Sequence, residues 1–329
     1  MQRRNRPFRL SAEPLEARRV MDGTVNVALS GNNVKLTGDD LGNNVVVSQV
    51  NGKLRIEGTL TNITLNGNTA AFQEISGLDF SKLQMKFDMK GGDDIIGVGS
   101  DQTQLTMKSL SISSGAGSDS IGLTTLAVSG NVNVKTFKSA NENELDQVLV
   151  LGVNTFGGDF KVRTGGGNDQ FLGAVGGALT VGKRISIDAG AGDDVVTLNA
   201  YTCTNASIRL GEGTNQFNSF NGNVTQKLDV RSGKGTDTVT ANTGGTYNKI
   251  SINLGDGDDT ATADGFTVAD IRVNMGKGND TANGNALNMT QFDLFDGGAG
   301  NDTFNFTASN SNIPAAGALP KNFEVQNIT

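Results

Sequence analysis

A short element, Gly-x-Gly-x-Asp, recurs along this chain at a nearly fixed interval, and self-similarity at a period of about 20 to 50 residues restricts a sequence to solenoids, propellers or arrays. Its copies end at Asp94, Asp119, Asp169, Asp194, Asn215, Asp237, Asp259, Asp280 and Asp302. The interval is 25 residues at first and 21 or 22 beyond Asp194; one interval of 50 contains a degenerate copy, Glu142-Asn143-Glu144-Leu145-Asp146, that has lost its glycines. Echoes at Gly42-Asn43-Asn44 and Gly67-Asn68-Thr69 keep the spacing of 25. They read as early coils or as a capping hairpin, because Val45 to Gly58 around Asn51-Gly52 is also a hairpin signal.

Around each copy the apolar residues alternate with period two, which is the pattern of strands with one buried face. Before the turns lie Met85/Phe87/Met89, Leu110/Ile112, Phe160/Val162, Ile185/Ile187, Ile208/Leu210, Leu228/Val230, Ile250/Ile252/Leu254 and Ile271/Val273/Met275. Two residues after each Asp comes a second inward column: Ile96, Ile121, Val148, Phe171, Val196, Phe217, Val239, Ala261, Ala282 and Phe304. Phe292 and Leu294 stand one residue out of phase with Gly298, which predicts a bulge. A unit with an apolar strip on each side of a glycine turn cannot bury itself, whereas stacked copies bury a continuous core. The expected fold is therefore all-β, a parallel β-solenoid (β-helix) of about ten coils with 21–25-residue repeats, right-handed by the general rule for parallel crossovers. Residues 1–23 read as a basic leader, disordered or processed, 24–80 as N-terminal strands, a capping hairpin or early coils, 81–305 as the solenoid and 306–329 as a C-terminal cap.

Composition agrees with a thin core: 45 glycines and 5% aromatic residues leave few large side chains for a globular interior. There is no histidine or tryptophan, and the single cysteine, Cys203, reads as a small buried hydrophobe. Disulfide frameworks, Cys/His zinc sites and every histidine-based triad are thereby excluded, and no enzyme is expected. Six arginines face only Glu13 and Glu16 in the first 19 residues, leaving 21 basic against 32 acidic residues beyond them. An acidic body argues against nucleic acid or anionic membrane as partner and suits bound cations. No apolar run reaches a membrane span, and no hydrophobic stretch of an ordinary secretory signal follows the arginines.

In the turns, glycine supplies positive φ. The Asp has two candidate roles: capping its own turn by accepting backbone N–H groups, or binding calcium through carboxylate and carbonyl oxygens. Stacked carboxylates about 5 Å apart repel by about 0.8 kcal/mol in water and about 3 kcal/mol at an effective dielectric near 20, so an uncompensated column is costly. The candidate calcium ligands are Asp94, Asp119, Asp169, Asp194, Asp237, Asp259, Asp280 and Asp302, joined by Asp93, Asp193 and Asp258 where the preceding residue is also acidic. Between the glycines, Glu212, Lys234, Asp256 and Lys277 alternate in sign, as a parallel stack would order them.

Gly297-Gly298-Ala299-Gly300-Asn301-Asp302-Thr303-Phe304-Asn305 matches every position of the G-G-x-G-x-D-x-U-x nonapeptide, and so resembles the RTX-type calcium-binding β-rolls. RTX nonapeptides follow one another every nine residues with turns at both edges. Here the motif comes once per coil, so the resemblance implies calcium along one edge only, interrupted at Asn215 and near Asp146. The N-terminus, Arg3-Arg4 followed by Ala12-Glu13-Pro14-Leu15-Glu16-Ala17-Arg18-Arg19-Val20-Met21-Asp22-Gly23, resembles the LEPLExR leader of secreted and surface proteins of planctomycete bacteria. That resemblance implies an extracellular or cell-surface location.

The leading expectation is a calcium-stabilised structural or adhesive surface protein, with envelope or extracellular polysaccharide or other surface proteins as partners. The alternative is a polysaccharide lyase or epimerase, or a carbohydrate-binding module, with Lys183/Arg184 and Asp188 as the best cluster. A third reading, ice binding, comes from Thr238, Thr240, Thr260, Thr262, Thr281 and Thr303 after the turns.

Overall fold

The structure, a computed structural model, describes residues 23–137, 144–242, 244–307 and 320–328. The leader up to residue 22, Glu142 and Asn143 of the degenerate copy, and residues 308–319 of the expected cap lie outside the described residues.

The chain winds into a β-solenoid of two long sheets, one of 18 strands and one of 14. The smaller sheet collects the short strand that follows each turn, such as Val195–Asn199, Gln216–Phe220, Thr238–Asn242 and Thr260–Asp264. These pair in parallel, coil on coil, so that Val196, Phe217, Val239, Ala261, Ala282 and Phe304 stand in one column. The larger sheet carries the strands that precede the turns, and its inward residues Ile187, Ile208, Val230, Ile252 and Val273 form the facing column. Every residue of both inward patterns read from the sequence up to Met275 is buried, as are Ala282 and Phe304. Cys203 is buried among them, where loss of water pushes its thiol pKa up to about 12.

The change of period has a structural cause. From Gly173 to Leu179 the chain takes six positions to round a corner, whereas the aligned step from Leu198 to Tyr201 takes three. In the larger sheet Thr180 to Arg184 aligns with Thr202 to Asn205, one residue shorter. The pair Leu179–Val181 and Arg184–Ala191 thus fuses into the single strand Tyr201–Gly211, and the period falls from 25 to 21.

At the N-terminus both readings hold together. Asn44–Val50 forms an antiparallel hairpin with Lys53–Gly58, turning at Asn51 and Gly52 with φ of 51° and 74°, and also pairs in parallel with Ile95–Gly99 as the first coil. The echo at Gly67 is not a coil turn: Asn66 and Gly67 close a second hairpin between Asn62–Leu65 and Asn68–Ala70. The predicted bulge lies where Ile271 pairs Phe292 and Arg272 pairs Leu294. It returns Phe295, not Leu294, to the core opposite Val273.

Candidate metal-binding edge

Most turns are drawn tight by glycines with positive φ, a conformation that other residues adopt only with strain, as Lys90 does with φ of 73° ahead of Asp94. At Gly278, φ is +135° and a Cβ would fall 1.9 Å from the carbonyl oxygen of Gly257 in the coil before. This close approach of successive turns places the repeat Asp residues in a single file.

The file runs inside the rod rather than on its outer rim: Asp94, Asp119, Asp146, Asp169, Asp194, Asp237, Asp259, Asp280 and Asp302 are all buried. The backbone N–H of each member donates to Oδ1 of the member one coil ahead. The hydrogen bonds run from Asn43 through Asp94, Asp119, Asp146, Asp169, Asp194, Asn215, Asp237, Asp259, Asp280 and Asp302 to Oε2 of Glu324, at 2.7 to 3.0 Å. The expected turn cap is therefore made between coils and not within one, because each inward side chain lies against the backbone of the coil before it. The file is also unbroken at Asn215 and Asp146, since the ladder needs only a carbonyl-type oxygen at each step.

A second, exposed row lies one residue earlier and runs the opposite way. Asp93 Oδ1 accepts the Ser118 N–H at 3.1 Å, Asp193 Oδ1 the Thr214 N–H at 2.7 Å and Asp258 Oδ1 the Asn279 N–H at 2.7 Å. The eleven acidic residues singled out in the sequence thus fall into two adjacent rows, eight inside and three outside.

The other oxygen of the inner carboxylates is the unusual group. Oδ2 of Asp94, Asp119, Asp169, Asp194, Asp237, Asp259, Asp280 and Asp302 is buried and makes no hydrogen bond of good geometry, although the hydroxyls of Ser114, Thr164 and Ser232 lie close enough to Asp119, Asp169 and Asp237 to favour their charged forms. Asp146 differs, because Thr136 Oγ1 donates to its Oδ2 at 2.5 Å. The two asparagines of the file show what such an atom faces. Asn215 Nδ2 donates to the carbonyl of Gly213 at 3.1 Å, and Asn43 Nδ2 to the carbonyl of Leu41 at 2.7 Å, in each case two residues back. In the aspartates an acceptor, Oδ2, takes the place of that donor.

Burial leaves these carboxyls reluctant to ionise. Desolvation pushes Asp94 and Asp146 up to about 8, Asp119, Asp194 and Asp259 to about 7, and Asp280 to about 6. It also raises Asp169, Asp237 and Asp302. The charges that bear on the row are acidic, among them Asp39 near Asp94, Glu144 near Asp119, Glu212 near Asp237 and Glu324 near Asp302. Lys277 holds Asp256 at 3.0 Å in the alternating column, but on the exposed rim, where such pairs contribute at most about 1 kcal/mol.

A hard cation such as the calcium that the RTX resemblance implies wants several oxygens; each turn offers one inner carboxylate oxygen, at the place where Asn215 and Asn43 meet a turn carbonyl. No group of three or more acidic or cysteine side chains converges among the described residues. A cation here would thus be held by one inner carboxylate per turn with carbonyls completing its shell.

Other sequence candidates are dispersed. Asp188 stands four residues from Arg184 on the outer face of one strand, about 13 Å at strand rise, so it does not join Lys183 and Arg184, which line a shallow hollow with Asp159 instead. Thr238, Thr260, Thr281 and Thr303 stack in register on the outer face of the smaller sheet, followed by Thr240, Thr262, Asn283 and Asn305. Sequence reasoning missed Asn43 and Glu324 as the ends of the file; Glu324 has no glycine turn before it to reveal it. It also missed the buried relay in which Ser219 Oγ bridges the hydroxyls of Tyr201 and Tyr247 at 2.8 and 2.9 Å. No protein-family model, no curated protein and no solved structure matches the chain.

Proposed function

We propose that this chain is an extracellular or cell-surface structural and adhesive rod whose turns are locked together by calcium. The observation that carries the reading is the inner file of unpartnered Oδ2 atoms, set where Asn43 and Asn215 carry an N–H donor toward a turn carbonyl. An oxygen that faces oxygens in a buried site calls for a proton or a cation between them, and above the raised pKa values of about 7 to 8 only the cation serves. Calcium would supply positive charge to that row, and ligand that binds only the folded chain stabilises it by RT ln(1 + [L]/Kd). The leader resemblance supports a surface location, and the uniform repeat of the coils supports a scaffold role.

Melting followed by far-UV circular dichroism tests the calcium part. Millimolar calcium is expected to raise Tm, chelation to reverse the rise and magnesium to fall short of it, because magnesium keeps its waters and demands a tighter shell. No change of Tm with calcium at pH 8 would end this reading.

A further inference from the structure

The acidic balance of the chain conceals a basic face. Inward positions of the larger sheet are apolar, so its outward positions alternate with them, and register decides which coils contribute. Across the strands from Val132–Lys135 to Thr246–Asp256, the outer face carries Lys135, Lys161, Arg163, Arg184, Arg209 and Arg231. Lys227 and Lys249 add to them, against Asp188 and Asp229 on the same face and Asp256 at the turn end of the last strand. Lys135, Arg163, Asp188, Arg209 and Arg231 stand in one column, one per coil.

Part of this charge is spent locally. Lys227 and Arg231 both close on Asp229, at 2.7 and 3.0 Å, Lys249 on Asp270 at 2.5 Å and Lys161 on Asp159 at 3.6 Å. Arg163, Arg184 and Arg209 are exposed and make no ion pair among the described residues. Between the cations lie Asn133, Ser186, Asn205, Ser207 and Ser251, and no aromatic or large apolar side chain faces outward on these strands. The outer face of the smaller sheet is the reverse, with Asp264 its only charge from Ile95–Gly99 to Thr303–Phe306.

The geometry points to this face of the larger sheet as a docking surface for a linear, carboxylate-bearing polysaccharide, a polyuronate. Guanidinium forks match planar carboxylates in a bidentate way. Files of cations at strand spacing along a flat face suit a polymer with regularly repeated charge, and the interspersed Ser and Asn side chains suit its hydroxyls. Single-stranded nucleic acid would need a series of aromatic platforms for its bases, and an anionic membrane surface would favour several apolar side chains to enter it; Phe137, whose ring lies 4.4 Å from the Lys135 ammonium at the edge of the face, supplies a single aromatic and no series. The inference takes the surface rod as its setting but does not use the calcium of the turns.

The test is affinity electrophoresis and calorimetry of the full chain with polygalacturonate at low salt, in chelator so that calcium bridges nothing. Binding is expected, weakening as salt rises, with no retention by a neutral glucan. The variant R163E/R184E/R209E should lose at least tenfold in affinity while keeping its Tm, since all three side chains are exposed. K53E on the N-terminal hairpin should bind as the parent does. Absence of polygalacturonate binding, equal retention by neutral glucan, or tighter binding of a DNA oligonucleotide or anionic vesicles at matched charge would each overturn the assignment. Because these measurements are made in chelator, their failure leaves the calcium reading standing, and the reverse holds too.

Discussion

At the inner file a single atom decides the behaviour of each turn. Where the side chain is Asn, as at Asn215, both of its polar atoms are used: Oδ1 accepts the Asp194 N–H at 3.0 Å and Nδ2 donates to a turn carbonyl. Where it is Asp, Oδ2 has a donor to give only while the carboxyl keeps its proton, and burial holds Asp194 protonated up to about pH 7. In metal-free protein above pH 8, where that proton is lost, D194N is therefore expected to raise stability by about 1 to 3 kcal/mol, the cost of an unsatisfied buried polar atom, and to blunt the response of Tm to calcium. A lower Tm for the metal-free variant would show that Oδ2 is satisfied in some other way. The same carboxyls set a pH dependence. Their folded pKa values, raised to between about 6 and 8, lie above the ordinary 3.8, so the folded chain holds protons that the unfolded chain has released. Stability without metal is thus fully present below about pH 4 and declines as pH rises through the folded values toward 8. Calcium should flatten this slope, since the ion and the proton compete for the same oxygens. A metal-free Tm that climbs between pH 5 and 8 would contradict the assignment.

At the scale of the coil, stability rests on turn geometry and column packing, and the two differ in how far they can be read from sequence. The glycines, the inward Val and Ile residues and the turn Asp repeat at one spacing, so the period exposes them; Val148, in phase, even rescues Asp146 from a copy without glycines. What the period leaves hidden is direction and partnership. Nothing in Gly-x-Gly-x-Asp tells whether its carboxylate points out to water or in against the coil before it, because that depends on how the turns stack, and Asp146 joins the file from a copy without glycines. Nor does the repeat announce exceptions such as Ser219, an inward polar residue that exists for Tyr201 and Tyr247 on other coils. S219A should cost about 1 to 3 kcal/mol, seen in chemical denaturation, as two buried hydroxyls lose their shared partner. G278A should cost more than S219A, because Gly278 has φ of +135° and its new Cβ meets backbone of the preceding coil. Equal stability of G278A and the parent would mean that the turns do not approach as closely as 1.9 Å implies.

Along the whole rod, each coil touches only its neighbours, so stability is close to a sum of coil and interface terms, with special arrangements required only at the ends. The N-terminal end is closed by the hairpins of Thr24–Ser30 with Asn33–Thr37 and Asn44–Val50 with Lys53–Gly58, which cover edges that would otherwise recruit further strands. The middle of the rod has no such constraint, and this makes an internal coil dispensable in a way that a piece of a globular core is not. Asp237 and Asp259 are equivalent members of the inner file, 22 residues apart, and their following strands occupy successive positions of the smaller sheet. Deleting residues 238–259 joins Asp237 directly to Thr260, whose strand then meets Gln216–Phe220 in unchanged register, with Ala261 beneath Phe217. That chain is expected to fold into a rod shorter by about 4.8 Å, one strand spacing, with its parallel-sheet circular dichroism intact. Its Tm should fall modestly, by the loss of one interface and the poorer filling of Ala261 against Phe217. Deleting residues 238–248, half a coil, removes the same kind of residues yet turns every later coil out of phase with the file, so cooperative melting should vanish. If the half-coil deletion melted as cooperatively as the full one, register would not be what holds the rod together.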